Sequence, residues 1–82
     1  MSPELINELA QIIAVQLLKQ PNRKIVPETR LISSGLIDSF HLVDLALLVE
    51  EHYGVHIDDF ELNKDTFDTL AELEALIRQR QT

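Results

Sequence analysis

The sequence has no cysteine and no tryptophan, and only three Phe and one Tyr stand among its 82 residues. Without cysteine, neither a disulfide framework nor a thiolate zinc site is possible. Apolar residues still make up 45% of the chain, so Leu, Ile and Val must supply most of the core. This composition favours packed helices over a sheet sandwich. A chain of this length is expected to form one domain, over residues 1–82.

Long hydrophobic runs are also missing. Nowhere do 18 consecutive apolar residues occur, and the segment that starts with Met1 lacks a basic region followed by an apolar stretch. Such a pattern predicts a soluble, cytoplasmic protein that does not insert into a membrane.

Lys and Arg are absent from residues 31–63, which hold seven Asp and Glu residues. The rest of the chain contains seven acids and seven bases, so the whole net charge of −7 lies in the middle of the sequence. An acidic surface disfavours nucleic acid and anionic membranes and favours basic protein partners. The alternative is a solvated acidic surface that only aids solubility.

The first helix is predicted to run from about Pro3 to Lys19, because Ser2 followed by Pro3 is typical of a helix start and apolar residues then recur at helical spacing. The long stretch that follows contains proline, glycine and several apolar residues. A flexible linker would lack those apolar residues. We therefore expect an ordered loop that is pinned to the core at Leu31 and Leu36.

A second helix is predicted from Asp38 or Ser39 to about Tyr53, with Gly54 as the left-handed residue that ends it. Its apolar residues recur every three or four positions and form one inward stripe. The members of this stripe are Leu42, Leu45, Ala46, Val49 and Tyr53.

The last helix is predicted to begin at a capping box formed by Thr69 and Glu72. Asn63 is expected to cap a short helical turn through Thr66. These elements predict an all-α fold, a four-helix bundle of three main helices and one short helix, with a long ordered loop between the first two. The core side of the last helix would consist of Leu70, Leu73, Leu76 and Ile77.

Ser39 is the residue with the most promising chemistry, because it lies where a loop meets the start of an amphipathic helix. Free backbone N–H groups and the helix dipole favour an anion at this position. A loop-to-helix junction is also accessible to another protein while the helix holds it in place. The alternative is that Ser39 or Asp38 is simply an N-cap, which is among the commonest roles of these residues.

Two other functions find little support in the sequence. A nucleophilic Ser39 would need the G-x-S-x-G elbow, which is absent, and His41 would point to a different face of the helix. The acids near His56 do not follow the EF-hand pattern and lack its glycine, so a solvated acidic turn is expected instead. These acids are Asp58, Asp59 and Glu61.

A helical wheel of the second helix places Phe40, Asp44, Leu47 and Glu51 together, opposite the inward stripe. Apolar residues ringed by acids are typical of a docking surface for a basic partner with an apolar notch. The alternative is that the long loop covers these residues. The residues that flank this outer side are Val43, Leu48 and Glu50.

The tripeptide Asp38-Ser39-Phe40 resembles the Asp-Ser-Leu signature of the acyl and peptidyl carrier proteins. The leading helix, the long loop before Gly35, the acidic stretch Glu50–Gly54 and the tail Phe67–Leu70 are similar to family features in family order. The resemblance therefore covers nearly the whole chain.

The resemblance implies that Ser39, preceded by Asp38 in the signature, accepts 4′-phosphopantetheine from coenzyme A through a separate, magnesium-dependent phosphopantetheinyl transferase. The terminal thiol of the arm would then hold an acyl or aminoacyl group as a thioester. The protein would be a monomeric substrate shuttle and not an enzyme. Partner enzymes would dock on the second helix, at Phe40, Val43, Asp44, Leu47, Glu50 and Glu51.

Two departures from the family pattern bear on the cargo. Phe40 replaces the usual leucine, and His41 stands where fatty-acid carriers often have another acid. Both departures disfavour a housekeeping fatty-acid role. The run from Gly35 to Phe40 is more similar to stand-alone carriers loaded by adenylating acyl or aminoacyl ligases, which pass cargo to downstream enzymes of secondary metabolism. The competing hypothesis is a helical interaction module that binds a basic partner through the same helix without a prosthetic group.

Overall fold

A computed structural model describes residues 4–81, so the predicted helix start at Ser2 and Pro3 lies outside the described residues. The three α-helices are α1 (Glu4–Ile12), α2 (Ser39–Tyr53) and α3 (Leu70–Gln81). A π-helical turn, Ile13–Leu17, continues α1, and a 3-10 turn spans Asp59–Glu61. Within residues 4–81 no strand is formed, and the all-α prediction is confirmed. No helix in that range is long and apolar enough to cross a membrane.

The first helical segment ends at Leu17, two residues before the predicted end. Lys19 adopts the left-handed conformation, with φ of 56°, and this turns the chain out of the helix. The N–H of Gln20 then donates to the carbonyl oxygen of Ala14 at 2.7 Å. A left-handed residue is a common way to end a helix, although glycine usually occupies the position.

The core lies between the three helices and is built from the apolar stripe of each. The inward stripe of α2 is largely confirmed, because Leu42, Leu45 and Val49 are buried while Ala46 and Tyr53 are partly buried. The predicted core side of α3 is also largely confirmed, because Leu70, Leu73 and Ile77 are buried and Leu76 is partly buried. The side chains that are 0% exposed are Leu9, Ile13, Leu31, Leu45, Leu73 and Ile77.

The segment between α1 and α2 packs on this core at Leu31 and Ile37, which are 0% and 2% exposed. Leu31 is thus buried as predicted, whereas Leu36 is only partly buried and Ile37 is the second anchor. Gly35 explains the difference, because its φ of 82° turns the chain just before these two residues. The N–H of Ile37 donates to the carbonyl oxygen of Leu31 at 2.9 Å, which closes the segment into a loop.

The short turn that was predicted from Asn63 through Thr66 is present, but it is not helical. The Asn63 side chain does cap it, because its Oδ1 accepts hydrogen bonds from the N–H groups of Asp65 at 2.9 Å and Thr66 at 3.0 Å. The short helical element lies earlier, at Asp59–Glu61, and is a single 3-10 turn. The described residues therefore contain the three main helices and this 3-10 turn, and the short fourth helix of the predicted bundle is not confirmed.

Candidate functional site

Asp38 is the N-cap of α2. Its Oδ1 accepts a hydrogen bond from the N–H of His41 at 2.8 Å, and its carbonyl oxygen accepts the N–H of Leu42 at 2.9 Å. The Nδ1 atom of His41 lies 3.4 Å from the same carboxylate oxygen. The capping role left open between the two residues therefore belongs to Asp38, and Ser39 is the first residue inside the helix.

Ser39 is exposed, and its hydroxyl makes no hydrogen bond with any other described residue. The first N–H groups of a helix have no intrahelical acceptor. Asp38 accepts the N–H of His41, and the N–H groups of Ser39 and Phe40 have no acceptor among the described residues. An anion attached to Ser39 would meet these donors and the positive end of the helix dipole.

Two further serines precede this helix, and both hydroxyls are engaged. Ser33 donates from its Oγ to Oδ2 of Asp68 at 2.7 Å. Ser34 donates from its Oγ to the carbonyl oxygen of Arg30 and accepts the N–H of Leu36 at 3.3 Å. These bonds fix the loop and leave neither hydroxyl free.

Asp68 holds the loop that leads to Ser39, a role that the sequence did not predict. Its Oδ1 accepts the N–H groups of Ile32 at 3.1 Å and Ser33 at 2.9 Å. The Ser33 hydroxyl, together with these backbone donors, holds the pKa of the Asp68 carboxyl below its usual value. The sequence shows only that an acid precedes the capping box. It could not identify the partners of this acid, because they lie 35 and 36 residues away.

The capping box at the start of α3 is confirmed. The Thr69 hydroxyl accepts the N–H of Glu72 at 3.1 Å, and Oε1 of Glu72 accepts the N–H of Thr69 at 3.0 Å. The same oxygen accepts the N–H of Asp68 at 2.8 Å. Because these donors favour the ionised carboxylate, that of Thr69 most, they lower the pKa of Glu72.

The outer side of α2 is open to solvent, and the long loop does not cover it. Phe40, Val43 and Leu47 are 82%, 49% and 59% exposed. Leu48, which the wheel placed at the edge, is partly buried against the core instead. A shallow hollow of about 420 Å³ lies on this side, lined by Leu47, Glu50 and Glu51. We define the α2 face as the exposed residues Phe40, Val43, Asp44, Leu47, Glu50 and Glu51.

None of the three histidines forms a hydrogen bond with the Ser39 hydroxyl in the described part of the chain. The ring of His56 contacts Glu50 and Asp58, and that of His52 lies beside Tyr53. No group of three or more residues suited to hold a metal ion comes together in the part of the chain that the structure describes. The arrangement at the start of α2 is therefore an accessible hydroxyl on a rigid helix end.

Residues 7–77 match the family described as the phosphopantetheine attachment site. The match reaches into all three helices and includes both helix starts described above. Domains of this family carry 4′-phosphopantetheine covalently on a serine, are carriers and not catalysts, and work with partner enzymes such as transferases. The prediction of this prosthetic group is confirmed, and a module without one is disfavoured. The chain belongs to the family of phosphopantetheine-binding carrier domains.

Proposed function

We propose that this chain holds its cargo as a thioester on a 4′-phosphopantetheine arm attached to Ser39. The observation that supports the choice of Ser39 is the hydrogen bonding of the serine hydroxyls. The family segment contains three serines. Ser33 is hydrogen-bonded to Asp68 and Ser34 to Arg30, whereas the Ser39 hydroxyl is exposed and has no partner among the described residues.

The start of α2 fits the chemistry of attachment. The Ser39 oxygen would form a bond to the phosphorus of the pantetheine phosphate of coenzyme A, and adenosine 3′,5′-bisphosphate would leave. The hydroxyl proton would pass to a base of the transferase. The product would be a phosphodiester anion that the N–H groups of Ser39 and Phe40 would stabilise, and such a position is worth about 0.3–1 kcal/mol to an exposed anion. The arm supplies the thiol that holds the cargo.

The α2 face is the surface that partner enzymes would recognise. Asp44, Glu50 and Glu51 would attract cationic residues and speed the encounter. Phe40 and Leu47 would then fill an apolar notch and distinguish one partner from another. We propose as partners a phosphopantetheinyl transferase, an adenylating acyl or aminoacyl ligase and the enzymes that receive the loaded arm. The Phe40 and His41 substitutions in the signature support a ligase-loaded carrier of a biosynthetic pathway.

The attachment site is tested by co-expressing the chain with a broad-specificity phosphopantetheinyl transferase and measuring intact mass. Wild-type protein should gain one arm, and Ser39→Ala should gain none. Ser33→Ala and Ser34→Ala are matched controls, which should be modified like the wild type. An arm on Ser39→Ala, or an unmodified wild type, would overturn the proposal.

The docking surface is tested with the same transferase by measuring kcat/KM for modification of purified apo protein. Leu47→Arg should lower kcat/KM because it places a cation and a longer side chain on the α2 face. Val15→Arg makes the same change at an exposed valine of the π-helical turn and should have little effect. Equal loss in both variants would show that the effect is not specific to this face.

A further inference from the structure

The ring of His56 lies between two carboxylates. Its Nδ1 is 3.1 Å from Oε1 of Glu50, and its Nε2 is 2.8 Å from Oδ1 of Asp58. A neutral imidazole carries a single N–H and can donate to only one of them, whereas the imidazolium donates to both. Both hydrogen bonds can therefore form at the same time only when the ring is protonated.

These contacts join the end of α2 to the 3-10 turn, and no other hydrogen bond links these two elements within residues 4–81. Glu50 belongs to the last turn of α2, and Asp58 precedes the 3-10 turn, where it forms a capping box with Glu61. From α3, Arg80 pairs with Glu61 and donates from Nη1 to the carbonyl oxygen of His56 at 3.1 Å. The charged groups around the ring are therefore Glu50 from α2, Asp58 and Glu61 from the turn, and Arg80 from α3.

We propose that His56 is a proton-controlled clasp that fastens the 3-10 turn to the end of α2. Loss of the ring proton leaves one carboxylate without a donor, and its oxygen then faces a nitrogen lone pair. The bridge between Glu50 and Asp58 opens. Arg80 keeps its bonds to Glu61, because neither group changes charge near neutral pH. The turn therefore remains attached to α3 while it loses its hydrogen-bonded bridge to α2.

The direction of the pH effect follows from the two partners. Hydrogen bonds to Glu50 first, and to Asp58, raise the pKa of His56 above its usual value. A group whose pKa is raised by folding stabilises the folded arrangement below its unfolded pKa, and this contribution is lost as the pH rises through the folded pKa. The clasp is thus closed in mildly acidic solution and opens on the alkaline side.

The 3-10 turn that the clasp fastens carries an exposed aromatic side chain. Phe60 lies in the middle of the 3-10 turn and is 79% exposed. Glu50, at the other end of the bridge, is a member of the α2 face. Opening the clasp would free the turn that carries Phe60 from this face. The clasp depends on protonation of His56 alone and not on modification of Ser39.

The clasp is tested by NMR titration of the full chain from about pH 5.5 to about pH 9, a range that covers histidine protonation. In the wild type, the backbone amides of Asp58, Asp59 and Phe60 should shift with the same midpoint as the His56 ring. That midpoint should lie above the one measured for the ring in urea-denatured chain. Amides that stay constant through the ring titration, or equal midpoints, would overturn the proposal.

Two variants separate the clasp from general effects of pH. In His56→Ala the three turn amides should lose the transition and resemble the high-pH wild type throughout, with severalfold lower protection from hydrogen exchange at acidic pH. In His52→Ala, which removes another exposed histidine near the end of α2, the transition should persist. A transition that survives in His56→Ala, or disappears in His52→Ala, would contradict the clasp.

Discussion

The starts of α2 and α3 use similar capping chemistry for different purposes. At α3, Thr69 and Glu72 satisfy each other's backbone N–H groups, and Asp68 is fully engaged with the loop. At α2, Asp38 takes a single N–H, and the next side chain, Ser39, has no partner among the described residues. One helix start is closed and structural, whereas the other is open and suited to carry a modification.

The closed start also supports the open one. The N–H of Leu31 donates to the carbonyl oxygen of Asp68 at 2.6 Å, and the Asp68 carboxylate holds the next two residues of the loop. Seven residues after Ile32, the same loop delivers Ser39 to the first turn of α2. The Ser39 hydroxyl can thus stay without a partner among the described residues while a distant helix end fixes the loop before it.

The largest predicted effect comes from Leu31, the buried loop residue whose N–H donates to Asp68 just before α3. Leu31→Ala removes a side chain that is 0% exposed and should cost about 2–5 kcal/mol of unfolding free energy. Leu47→Ala is the matched control on the α2 face, where the lost side chain is 59% exposed and the change should stay within about 0.5 kcal/mol. Urea unfolding measures both, and equal losses would show that the loop is not anchored at Leu31.

The second largest effect is expected from acid, which should lower the stabilisation that the start of α3 contributes to the folded protein. Folding lowers the pKa of Asp68 and Glu72 from ordinary values of 3.8 and 4.5. Their contribution is present above those values and is lost as the pH falls through the lowered ones. Glu72→Gln keeps a capping box but cannot titrate, so its unfolding free energy should decline less between about pH 5 and about pH 2 than that of the wild type. Parallel declines would contradict this assignment.

Loss of one cap should have a smaller effect, and it should be similar at the two starts. Thr69→Ala and Asp38→Ala each remove a side-chain acceptor and should each cost about 1 kcal/mol. Thermal or urea unfolding measures the change. If Asp38→Ala left the unfolding free energy unchanged while Thr69→Ala lowered it, the Asp38 cap would not be what stabilises the start of α2.

The smallest effect is expected when the cap at the open start is conserved. Asn is as good an N-cap as Asp, so Asp38→Asn should change the unfolding free energy by no more than about 0.5 kcal/mol. Its helix content by circular dichroism should match the wild type. A loss as large as that of Asp38→Ala would show that the charge of Asp38, and not its acceptor geometry, stabilises α2.

Much of the helical framework could be predicted from the sequence. The bounds of α2, its end at Gly54 and the box at Thr69 were predicted correctly. These features depend on residues three or four positions apart, which the chain places together whatever the rest of the fold does. The position of Ser39 at a helix start follows from the same local rules, and its modification was inferred only from the family resemblance.

The tertiary structure decided what these local rules cannot reach. Burial of Ile37 in place of Leu36 depends on how the loop meets the helices, and the engaged hydroxyl of Ser33 depends on Asp68, 35 residues away. The His56 bridge likewise needs α2 and the 3-10 turn in contact. Sequence by itself determined the approximate extent of the helices and placed Asp38 and Ser39 at the start of α2. Only the packed fold, by bringing distant partners together, left Ser39 as the serine without a hydroxyl partner within residues 4–81.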